Sequence, residues 1–274
     1  AGNLQRAIRS AKLQAEPAYT YLQAGTQLAR LGEWALAGEA FRQAASLRPD
    51  YAEAWALLAE ARQQVGGDLP QARLDLERAL SLKPDSALVN SLFSLYWERQ
   101  DEIQNMIACL AAAAGSEPQN PAWQAEWGRA LALDGNLQAA QERYQEAVRL
   151  APREALYWRL LAEFSVRHAV NVGEIALPAA QQVLALQPGE AAALDLMGEV
   201  YLAQGSDLLA EDYFQQAVEA QPEYAPAWMH LGAVYLVRGQ GDLAREMLQR
   251  ASQLAPPGSV VADQVQRLME HSFP

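Results

Sequence analysis

Seven prolines set the rhythm of this chain. Pro49, Pro84, Pro118, Pro152, Pro188, Pro222 and Pro256 follow one another at intervals of 35, 34, 34, 36, 34 and 34 residues. Each closes an apolar stretch with three- and four-residue periodicity, such as "AASLRP" or "EAVRLAP", the spacing of a helix face and not of a strand. A proline cannot donate to the helical ladder, so it ends one helix and sets the entry of the next. Period, helical spacing and punctuation together require a stack of helix pairs, each unable to bury its apolar face without its neighbours.

A second marker runs in step. Gly32/Ala37, Gly67/Ala72, Gly135/Ala140, Gly205/Ala210 and Gly239/Ala244 pair a turn residue with a small apolar one five positions on, with Asp101/Met106 and Asn171/Ala176 in the same slots of two irregular units. Glycine takes the left-handed conformation that closes a helix cheaply, and alanine lets the second helix approach the first. One irregular unit, about 87–120, has Asn90 in place of a recurrent tryptophan and Ser94 in a small-residue slot. The other, about 155–188, is two residues longer, which predicts an extended turn near 168–174 and a kink or late helix start at Pro178.

The units resemble tetratricopeptide repeats, whose signature is W-x2-L-G-x2-Y, then A-x3-F, then P. Trp228, Leu231, Gly232, Tyr235, Ala244, Leu248 and Pro256 match it with Leu for Phe. Leu194, Met197, Gly198, Tyr201, Ala210, Phe214 and Pro222 match nearly as well, and Tyr21, Gly25, Leu28, Ala37, Phe41 and Pro49 form the first full unit. The fold expected is therefore all-α, a right-handed superhelical solenoid of antiparallel helix pairs with about 16 helices by this count. Seven repeats span 18–256. Residues 257–274 form a C-terminal capping helix and tail, with Ser259 as its N-cap. Residues 1–17 read as the second helix of a half-repeat, Gly2 in the turn slot and Ala7 in the close-packing slot. Either more repeats precede it or a lone helix caps the array.

Composition narrows the function classes. Thirty-three acidic residues against 21 basic ones give a formal charge of −12, which disfavours phosphate backbones. No apolar run is long enough to span a membrane. The single cysteine, Cys109, rules out an intramolecular disulfide and a cysteine-clustered zinc site, and its place on an alanine-rich packing face marks it as structural. Gly239-x-Gly241-x-x-Ala244 matches the dinucleotide fingerprint, but it joins two helices where that fingerprint needs a strand before it. His168, His230 and His271 are far apart in register, so no shared metal site is expected among them. No catalytic residue, no metal and no cofactor is expected. Trp55, Trp158 and Trp228 occupy the repeat's core slot and Trp97 and Trp127 other packing slots, while Trp34 and Trp123 are expected to be partly exposed.

The resemblance implies a partner protein or peptide lying along the concave face, which the first helix of each pair lines. By register that face carries Arg30, Glu60, Arg99, Glu126, Arg129, Arg159, Glu163, Arg167, Glu199, Met229, His230 and Leu236. Its centre is charged with both signs and its C-terminal end is apolar. Arginine forks suit carboxylates, so Arg129, Arg159 and Arg167 are the first candidates for partner contacts; equally, these charges could pair with one another across neighbouring helices. Some members of the family clamp a C-terminal carboxylate with Lys and Asn, but the matching slots here hold Leu22, Thr26, Ala56, Glu60, Ser91 and Leu95. The function implied is a non-catalytic interaction scaffold. The alternatives are the repeat arm of a larger enzyme or an envelope or secretion assembly, or a homodimer formed through the N-terminal half-repeat or the apolar patch at Met229, Leu236 and Val237. That patch could instead be covered by residues 259–274 folding back.

Overall fold

The structure, a computed structural model, describes residues 16–273. Among them are fifteen α-helices and no strand. The chain divides between Asn136 and Leu137 into two compact units, a boundary that falls inside the fourth sequence repeat.

The first unit holds α1 (Pro17–Arg30), α2 (Trp34–Leu47), α3 (Ala52–Gln64), α4 (Leu69–Leu82), α5 (Ala87–Arg99), α6 (Ile103–Ser116) and α7 (Pro121–Leu133). The second holds α8 (Leu137–Leu150), α9 (Ala155–Arg167), α10 (Leu177–Leu186), α11 (Ala191–Ala203), α12 (Asp207–Ala220), α13 (Ala225–Val237), α14 (Gly241–Leu254) and α15 (Val260–Ser272). Within each unit consecutive helices pack against each other, and first helices also touch the next first helix: α3 meets α5, and α9, α11 and α13 form a continuous row.

Close approach within a pair rests on the small-residue slots. A Cβ added to Gly25 would lie 2.5 Å from the Phe41 ring, one at Gly198 2.4 Å from Phe214, and one at Gly232 2.7 Å from Leu248. Between pairs, the repeat proline offers its carbonyl to the next helix. The indole N–H groups of Trp55, Trp158 and Trp228 donate to Pro49, Pro152 and Pro222 at 3.0, 2.9 and 2.9 Å. Asn90 makes the same bond to Pro84 with its amide, at 2.9 Å, and a second to the Ser86 carbonyl at 3.0 Å. The slot therefore needs a donor of the right reach more than it needs an indole. Asp68, Ser86, Asn120 and Ser259 cap their helices through side-chain oxygens, Ser259 as expected.

Two turns depart from the sequence reading. In the second pair the left-handed residue is Gly66 (φ +66°) and not Gly67, because an extra residue before α4 lets Asp68 cap it. In the fifth pair the closing residue is Ala169 (φ +53°): its N–H bonds Val166 and that of Val170 bonds Ser165, the pattern Gly32 and Glu33 make after α1. Asn171, the expected turn residue, is left-handed too (φ +49°) but opens a π-helical turn over Val172–Ala176 that absorbs the two extra residues. Pro178 then falls at the start of a shortened α10, where its missing N–H costs nothing. This is the late start expected of it.

The half-repeat expected over residues 1–17 lies, but for Glu16 and Pro17, outside the described residues, as does any dimer surface upon it. No helix among the described residues is long and apolar enough to cross a membrane.

Candidate functional site

The charged residues expected on the inner row separate into two kinds. In the first unit they are spent on one another. Arg99 grips Glu60 through both carboxylate oxygens at 2.7 Å, and Gln64 adds a third bond at 2.7 Å. Burial pushes the Glu60 carboxyl up, and the bonds from Arg99 and Gln64 more than reverse it, leaving it below the ordinary range. Arg129 is held by Glu98 at 2.7 and 3.1 Å and by Glu126 at 2.9 Å. Its fork, a first candidate for a partner, is already occupied. Arg30 is exposed at the end of α1.

In the second unit the same face is unspent. Arg159 reaches Gln187 at 3.1 Å, but its Nε is buried with no acceptor. Glu163 and Glu199 are half-buried, and neither carboxylate receives a hydrogen bond or forms an ion pair among the described residues. Burial pushes both carboxyls up, Glu163 against the pull of Arg159 and Arg167, and Glu199 to about 7. Arg167 is exposed at the end of α9 and makes no hydrogen bond or ion pair with a side chain among the described residues.

Next to them, His230 of α13 meets Asp195 of α11, Nδ1 to Oδ1, at 2.8 Å. Asp195 is buried. Burial pulls the imidazole pKa down, and the charge and hydrogen bond of Asp195, followed by the charge of Glu199, more than reverse it, leaving it above the ordinary histidine value. Tyr224 lies against the same carboxylate, and burial, followed by the charges of Asp195 and Glu199, raises its phenol. One donor atom each from Asp195, Glu199 and His230 lie within 4.8 Å of one another. The sequence reading put Glu199 and His230 on the inner face without seeing that they converge on Asp195.

Two tetratricopeptide-repeat family models match, one over residues 173–225 and one over 209–269. Residues 173–269 carry tetratricopeptide repeats. Solved structures extend the likeness of fold beyond the matched segments. The type IV pilus biogenesis factor PilW is 20% identical with a TM-score of 0.64, covering 81% of this chain and 99% of that one. PilF of Pseudomonas aeruginosa is 19% identical with a TM-score of 0.54, covering 81% and 99%. Cut9, in its complex with Hcn1, is 18% identical with a TM-score of 0.58, covering 96% of this chain and 51% of that one. At these identities the likeness is one of fold. No curated protein matches the chain in sequence.

The apolar end of the repeat face is not open. Met229 is buried in a cluster with Leu248, Ala251 and Val265, with Leu236, Leu268 and Phe273 packed around it. Of the two covers the sequence left open for this patch, the chain's own α15 packs on Met229 and Leu236, while Val237 stays exposed. His230 remains reachable, lining a cleft of about 370 Å³ with Met229, Ala233, Gln264, Arg267 and Leu268. Cys109 is buried, and burial raises its thiol to about 11, which keeps it protonated and inert near neutral pH. All seven tryptophans are partly buried, the five expected in packing slots as well as Trp34 and Trp123.

Proposed function

We propose that this chain is a non-catalytic scaffold that holds an extended segment of a partner protein along the row α9, α11 and α13. The observation that carries the reading is the unspent charge on that row. Arg159, Glu163 and Glu199 are partly buried and Arg167 stands exposed at the end of α9, yet only Arg159 has a side-chain hydrogen bond. Groups left unbonded in a partly buried place cost free energy, and a bound segment with backbone amides and side chains of both signs recovers it. Met229 and Leu236 are withdrawn from the surface by α15, and Arg129 and Arg99 are occupied by glutamates. The binding face is thus smaller than the sequence reading drew it and lies in the second unit.

Peptides selected on the intact chain from a random display library supply the probe, with affinity measured by titration calorimetry. Arg167→Glu is expected to weaken selected peptides about tenfold or more, the effect of losing and then opposing one charge-assisted contact. Arg129→Ala should change affinity less than about twofold. Unchanged binding by Arg167→Glu and by Glu163→Gln would remove the assignment.

A further inference from the structure

We propose that Asp195, Glu199 and His230 bind a single divalent transition cation, with Zn2+ the best match. Asp195 and Glu199 are one helical turn apart on α11, so their side chains share a face. The packing of α13 on α11 brings His230 across to them, and all three donor atoms fall within 4.8 Å of one another. Zinc holds nitrogen and oxygen ligands at about 2.0–2.2 Å, which puts tetrahedral neighbours about 3.4 Å apart. The Asp195–His230 pair, at 2.8 Å, needs to open by about 0.6 Å to meet that spacing. Glu199 needs a side-chain rotation through little more than an ångström or so, and no bond holds it back.

The competing account is an Asp–His pair with Glu199 as a bystander. Such a pair is complete with one carboxylate. A second carboxylate within 4.8 Å, partly withdrawn from water and given no hydrogen-bond donor, has only the charges of His230 and Arg167 to set against its desolvation and its repulsion from Asp195. A cation among the three donors removes both costs. The ligand chemistry selects the class: imidazole favours zinc and its first-row neighbours, while Ca2+ takes six to eight oxygens and Mg2+ prefers an octahedron of oxygens. Three protein ligands leave a position open, and the cleft beside His230 gives it access to water or to a donor atom from a bound segment.

The intact chain, stripped with a chelator and dialysed, is titrated with Zn2+ against a chromogenic chelator. One equivalent is expected to bind with a Kd of about a micromolar or below, and excess Mg2+ should not displace it. Glu199→Gln and His230→Gln should each weaken binding by about thirtyfold or more, and His271→Gln should leave it unchanged. Glu199→Gln breaks no bond within the chain, so it keeps the test decisive if His230→Gln fails to fold, with circular dichroism as the check. Absence of binding, or equal binding by wild type and Glu199→Gln, would overturn the site. Zinc alone is the probe, so the outcome is independent of whether any peptide binds.

Discussion

The same substitution should have opposite effects at two glycines. Gly198→Ala places a methyl 2.4, 2.5 and 2.8 Å from three ring atoms of Phe214, where carbon–carbon contacts are most favourable at about 3.5–4.0 Å. Phe214 is fully buried, so relief requires α11 and α12 to separate by about 1 Å or the ring to leave its rotamer. Such overpacking costs about 1–3 kcal/mol. Alanine recovers about 1 kcal/mol of helix propensity, which sets the net loss between zero and about 2 kcal/mol, towards the upper end because three contacts are violated at once. Gly115→Ala, near the end of α6, meets nothing within 4 Å and keeps only the propensity term, a gain of about 0.5–1 kcal/mol. Hydrogen exchange of α11 and α12 for the first, of α6 for the second, with urea titrations of both, reads the local and global changes. Adding Phe214→Leu to Gly198→Ala should cost less than the two separate effects together, because leucine lacks the Cε1 and Cζ ring atoms that the new methyl meets. Two effects of the same sign at Gly198 and Gly115, or strict additivity of Gly198→Ala with Phe214→Leu, would refute the idea that this slot sets the spacing within a pair.

Asn90→Ala removes two hydrogen bonds to backbone carbonyls and should cost about 1–3 kcal/mol, seen as lower protection in α5; an unchanged urea midpoint would show that the Pro84 turn does not depend on it. The Glu60 carboxyl lies below its ordinary range, so its contribution is present above the unfolded pKa and is lost as pH falls through the folded one. The first unit should therefore lose stability on acidification below about pH 4, with a shallower dependence in Glu60→Gln; equal slopes in both proteins would contradict the Arg99–Glu60 assignment.

The array was legible in the sequence because its determinants are local and repeated. Each repeat proline stands just past the end of a helix, and a glycine facing a large side chain recurs at Gly25, Gly198 and Gly232. What the sequence reading misplaced were the two irregular turns. Asn171 stands five residues before Ala176, and asparagine tolerates a left-handed backbone better than alanine does, so the register pointed to Asn171. The length of α9, fixed by where Ser165 and Val166 accept their closing bonds, put the turn at Ala169 instead. The cover over Met229 was seen only as one of two options, since nothing local to residues 225–237 says whether α15 or a second molecule lies upon them.

The division of the charged face into spent and unspent halves was also written in the register, though only contact geometry gives the rule for reading it. Glu60, Arg129, Glu163 and Glu199 each stand eleven residues after their repeat proline. Glu60 is satisfied by Arg99, which stands fifteen residues after the next proline, the last residue of its helix. Applied to the second unit, that rule assigns Glu163 to Ala203 and Glu199 to Val237, and neither side chain can donate a hydrogen bond. The two carboxylates are therefore left open by what occupies one slot in the following helix. An arginine at either position would close them in the way Arg99 closes Glu60, so Ala203 and Val237 keep this face available to a ligand as much as the glutamates themselves do.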